Sequence, residues 1–184
     1  MNRSARPITF LSMMLILLGG VSMAHAFTST TFELAPVNAA CLPDATGQVT
    51  VIEKEEGLGT DTLKLKVSGL PANTDFAVFL TSADGFAVPP FGTTDYIGDF
   101  TTNADGIGTL KVRAIIAEAF ITAVGGVPPA RSRTNLDHLV FWFADPAQVP
   151  ACFNFVTPTP FDGDGNAGPA AMSSVGATGL ELLP

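Results

Sequence analysis

Apolar and polar residues alternate with a period of two along much of this chain. The clearest run is Thr62-Leu63-Lys64-Leu65-Lys66-Val67-Ser68. It predicts a strand with Leu63, Leu65 and Val67 on one side and Thr62, Lys64, Lys66 and Ser68 on the other, the mark of an antiparallel sheet with one wet face. The same reading predicts strands over 48–54, 76–81, 96–102 and 108–115, a further strand carrying Leu139, Phe141 and Phe143 that Asp145-Pro146 ends, and a last one over 152–156. Residues 57–61 read as a hairpin turn, and Asn103-Ala104-Asp105-Gly106 contains the Asp-Gly step that favours tight hairpins. Residues 114–123 fit either a strand or a short helix. The Gly/Pro-rich stretches 125–136 and 157–169 read as long loops. About seven to eight short strands predict an all-β fold, a two-sheet antiparallel sandwich, because each sheet must bury one face. Leu63, Leu65, Val67, Phe76, Val78, Leu80, Leu110, Val112, Leu139, Phe141 and Phe143 fall on the apolar phase and form the expected core. Lys64, Lys66, Lys111 and Arg113 fall on the wet phase.

The N-terminus departs from this pattern. Arg3 and Arg6 precede an apolar run from Ile8 to Leu18, and Ala24-His25-Ala26 follows with small residues at the spacing signal peptidase accepts. The run is shorter than the roughly 20 apolar residues of a membrane-spanning helix. It predicts a cleaved signal peptide over 1–26, a tail over 27–40, a sandwich domain over 41–175 and a second tail over 176–184. The destination is extracytoplasmic, secreted or periplasmic, with no membrane insertion after cleavage. Removing 26 of 184 residues leaves 158, and seven basic residues against seventeen acidic, a balance of −10. Such a charge speaks against nucleic acid, which is bound through clustered Lys and Arg. The two cysteines, Cys41 and Cys152, have no competitors, and in an oxidising compartment they are expected to form one disulfide.

Residues 67–78, Val-Ser-Gly-Leu-Pro-Ala-Asn-Thr-Asp-Phe-Ala-Val, resemble the V-x-G-L-x-P-x-T-x-Y-x-V segment of fibronectin type III and related immunoglobulin-like domains. In that family the segment forms a corner into a strand, capped by a tyrosine hydroxyl. Here Phe76 replaces the tyrosine and the proline is shifted to Pro71, so the capping bond is lost. Ile97-Gly98-Asp99-Phe100-Thr101-Thr102 is similar to hairpins of bacterial exported sandwiches. The resemblance implies an immunoglobulin-like sandwich and leaves function open, because such folds host unrelated activities.

Chemistry is sparse. His138 is the single histidine after residue 26, too few for an imidazole metal site. Asp137 beside it would point to the opposite face of a strand, and no G-x-S-x-G elbow or phosphate-binding glycine loop occurs. Asp162, Asp164 and Asn166 follow the D-x-D-x-N opening of a calcium loop. Ala167 and Ser173 stand where that loop requires glycine and glutamate, and an Asx/Gly turn explains the same residues. Phe141-Trp142-Phe143 reads as core packing, with an exposed Trp142 as the alternative. Glu53, Glu55 and Glu56 read as a solvated strand end. Two functions follow as expectations: an exported non-enzymatic module that binds a protein or cell-surface partner or serves structurally, and, as the alternative, an extracytoplasmic hydrolase or calcium-dependent enzyme with a loop-borne site.

Overall fold

The computed structural model describes residues 29–52, 61–81, 94–114, 118–122, 131–136, 138–155 and 167–174. Apart from two 3₁₀ turns, all regular structure among them is β. The strands are β1 (Ser29–Pro36), β2 (Thr46–Ile52), β3 (Asp61–Ser68), β4 (Asp75–Thr81), β5 (Thr94–Thr101), β6 (Gly108–Ala114), β7 (Glu118–Thr122), β8 (Arg131–Asn135), β9 (His138–Phe143) and β10 (Ala170–Ser173). Eight of them form one antiparallel sheet in the order β5-β4-β9-β10-β1-β2-β3-β6, and β7 and β8 pair separately.

The sheet divides into two four-stranded halves joined through β1 and β10, which share only the pairs Ala35↔Ser173 and Pro36↔Met172. Each half buries one face in a common core. Phe32, Leu34, Val49, Val51, Leu63, Leu65 and Val67 come from the first half. Phe76, Val78, Leu80, Phe100, Leu139, Phe141, Phe143 and Met172 come from the second. The interior is aromatic at its centre: Phe76 lies 5.1 Å from Phe100, 5.3 Å from Phe141 and 5.0 Å from Phe143, centroid to centroid. In the family that residues 67–78 resemble, a tyrosine would stand at this position and turn its hydroxyl to the corner. The phenyl ring instead packs wholly inside, and the corner is held by Thr102, whose Oγ1 donates to Pro71 O (2.6 Å) and accepts from the Thr74 N–H (3.0 Å).

Nine of the eleven expected core residues are buried. Leu110 and Val112 take the expected phase but are half-buried, because β6 is an edge strand. They rest against Gly98 of β5, the opposite edge, where an added Cβ would come within 3.3 Å of Val112 Cγ1. The two ends of the sheet therefore approach each other and nearly close it.

Several local expectations are corrected. Residues 27–40, read as a tail, contain β1, in which Phe32 and Leu34 point inward between β10 and β2. Residues 114–123, which fit either a strand or a helix, contain the strand β7, and the supposed loop 125–136 contains its partner β8. Residues 151–153 form a 3₁₀ turn instead of a strand, since Pro146 and Pro150 each lack a backbone donor for a ladder and Asn154 ends the turn left-handed at φ 48°. Asn103 to Gly106 does make a tight turn: Asn103 Oδ1 accepts from the Asp105 and Ile107 N–H groups, and Gly106 sits at φ 70°. It is not a hairpin, because β5 pairs with β4 and β6 with β3. The turn arches from one half of the sheet to the other, and the Leu70 N–H donates to Gly106 O to hold it there (3.3 Å).

Candidate functional site

The sequence candidates are not brought together. Asp162, Asp164 and Asn166 lie outside the described residues, as do residues 1–26, Glu53, Glu55, Glu56 and Asp137. His138 opens β9, half-buried and opposite Thr81. Among the described residues no three His, Cys, Asp or Glu side chains converge as a metal site would require. None of the described helices is long and apolar enough to cross a membrane.

Cys41 and Cys152 form the expected disulfide, with Cα atoms 5.6 Å apart. It ties the turn after β1 to the 3₁₀ segment after β9, half-buried on the Cys41 side and exposed on the Cys152 side. Disulfides form and persist in oxidising compartments, which agrees with an extracytoplasmic destination.

Trp142 is buried (1% exposed), but on the opposite face from Phe141 and Phe143. There Ala77, Phe79, Val140, Trp142 and Ala170 make a second apolar cluster on the outward side of β4, β9 and β10. Phe79 meets Trp142 edge-on at 5.2 Å and Tyr96 at 5.5 Å, so an aromatic row crosses three strands and ends at Tyr96, which is 49% exposed.

At that end of the row lies a polar depression of about 310 Å³, lined by Asp75, Ala77, Tyr96, Asp99, Phe100, Thr101 and Ala144. Its geometry depends on a bulge. Val78 faces Gly98 and Phe79 faces Tyr96, leaving Ile97 as the extra residue. Three residues apart on a regular strand, Tyr96 and Asp99 would face opposite ways; the bulge turns both outward. The Tyr96 hydroxyl donates to Asp99 Oδ2 (2.5 Å). Thr101 Oγ1 donates to Asp75 Oδ1 (2.6 Å), while Gln148 accepts from the Asp75 N–H (2.8 Å) and donates to Asp75 Oδ2 (3.3 Å). The depression thus offers carboxylate and hydroxyl oxygens already oriented by neighbours. That suits hydrogen bonding to a polar ligand. Tyr96 itself stays a proton donor there, because the hydrogen bond to Asp99, burial and the Asp99 charge together push its phenol up to about 12.

This gives a prediction with a clean readout, since Tyr96 is the only tyrosine. Tyrosinate absorbance of the folded chain rises with a midpoint near 12, and Asp99→Asn moves it down toward the ordinary value near 10. The folded state holds this proton more tightly than the unfolded one. The pair's contribution to stability is therefore whole below about pH 10 and is lost as pH rises through about 12.

Compared with family models, with curated proteins and with solved structures, the chain gives no significant match.

Proposed function

We propose that the chain is an exported, non-catalytic β-sandwich module of immunoglobulin-like kind, which works by presenting its outer faces to a partner. The observation that carries this reading is the filled interior. Phe76, Val78, Leu80, Phe141, Phe143, Leu63 and Val51 are all at 0% exposure, so the space between the sheet halves is given to packing rather than to a substrate. Among the described residues, the open polar depression at Tyr96 and the exposed strand faces are available for recognition. Export is supported by the charged, apolar and small-residue order of positions 1–26 and by the disulfide. The immunoglobulin-like assignment rests on residues 67–78 and on two sheet halves that share one core.

The alternative, a hydrolase or calcium-dependent enzyme, is tested with the exported chain beginning near Phe27. It is incubated with chromogenic ester, glycoside, phosphate and peptide substrates, with calcium and with a chelator. The reading predicts no turnover in either condition. Calcium-dependent turnover abolished by Asp164→Ala, or turnover abolished by His138→Ala, would overturn it.

A further inference from the structure

Four of the six basic residues in the described segments, Lys64, Lys66, Lys111 and Arg113, project from one face of the first sheet half. Pairing of β3 with β6 puts Lys64 directly opposite Lys111, with Arg113 and Lys66 in the adjoining rows. Like charges in directly opposed positions destabilise a sheet. Among the described residues none of the four makes an ion pair, so the fold itself gains nothing from this arrangement. In a chain with a balance of −10 after residue 26, the concentration of positive charge asks for an anionic partner. Glu33 on β1 is the one carboxylate on the described part of this face, across Gln48 from Lys66, so four cations stand against one anion there, and acidic residues more than about 8 Å away are largely screened at physiological salt.

We propose that this face of β1, β2, β3 and β6 docks an acidic polysaccharide, its carboxylates held by the four cations. The inference rests on the reading of the chain as a binding module and names its partner. The charges are spaced by the sheet, about 6.6–6.8 Å along a strand and 4.7–4.9 Å between strands, which is the scale of a sugar ring. Beside them lies a shallow depression of about 230 Å³ where Lys66 joins Thr46, Gln48 and Ser68, with Glu33 at its β1 side engaged by the Gln48 amide (2.9 Å). Hydroxyl and amide groups at that place match sugar hydroxyls. Thr31 and Thr50 continue the polar surface across β1 and β2. No aromatic side chain stands on the described part of this face for a nucleic-acid base to stack on. Ile52, itself half-buried, is its one branched aliphatic residue, against the apolar anchors that a protein interface centres on.

The test uses the exported chain and polygalacturonate, with neutral dextran as control, followed by calorimetry at low and physiological salt. Binding to polygalacturonate that weakens as salt rises, and none to dextran, is the expected result. Lys64→Glu with Lys111→Glu weakens it by about tenfold or more, while Trp142 emission and the melting curve show that the fold is kept. Asp95→Asn, on β5 of the other sheet half, leaves it unchanged. Equal binding by the double variant, or no binding at all, overturns the proposal, as does tighter binding to single-stranded DNA or to anionic lipid vesicles. New reducing ends in the polysaccharide would instead overturn the non-catalytic reading and leave the docking surface standing.

Discussion

Phe141→Ala is expected to lower the stability of the fold by about 3–5 kcal/mol. The side chain has no exposure, and its ring meets Phe76 at 5.3 Å and Phe100 at 5.2 Å, both edge-on. Truncation would remove one member of the aromatic centre to which both sheet halves pack, and neighbours fixed by two ladders cannot collapse into the gap. The loss is a large share of the roughly 5–15 kcal/mol that holds a typical domain together. Lys64→Ala, on the exposed side of β3, should change stability by no more than about 0.5 kcal/mol. Urea denaturation of the two variants measures both halves of the claim. Equal midpoints would mean that Phe141 is not in the core.

Removing the disulfide is the second large effect. Cys41→Ser with Cys152→Ser frees a loop of 111 residues, which the chain-entropy model values at up to about 4–5 kcal/mol, with about 2–5 kcal/mol typical of native bridges. Here the effect has a structural side as well. The bridge anchors the second 3₁₀ turn, whose Phe153 meets Phe143 at 5.3 Å and which follows closely on the first, whose Gln148 holds Asp75. Trp142 is the only tryptophan and is buried, so its emission follows unfolding directly. The double variant should unfold at distinctly lower urea than the oxidised chain. A reductant should shift the oxidised chain to the same midpoint and leave the variant unmoved.

The elements legible in the sequence are those whose register is written in adjacent residues. β3 and β9 carry three inward side chains each at alternate positions, and both fold on the expected phase. β1 carries the same signal in Thr31-Phe32-Glu33-Leu34, but with two apolar residues it passes for a tail, and only its neighbours β2 and β10 give it a place. The turn at Asn103–Gly106 shows a different limit. Its local chemistry was readable, down to the glycine at positive φ. Whether the flanking strands pair with each other or stack across a core is decided by β3 and β4, which lie earlier in the chain. The candidate sites follow the same division. Tyr96 and Asp99 share a face only because of the bulge at Ile97, and Lys64 meets Lys111 only because β3 pairs with β6. The first depends on how β5 is bulged against β4 and the second joins two strands, so neither is written in the alternation of a single strand. What could have pointed to the basic face was the concentration of four of the seven basic residues after position 26 in two alternating runs.

Two sheet halves close over one core, with an arch rather than a hairpin between β5 and β6. Nuclear Overhauser contacts across residues 94–114 test this most directly. The fold predicts contacts from the Phe100 ring to Gly108 Hα and from Gly98 to the Val112 methyls, together with cross-strand Hα contacts of β5 to β4 and of β6 to β3. A ladder of cross-strand Hα contacts joining β5 directly to β6 would contradict it.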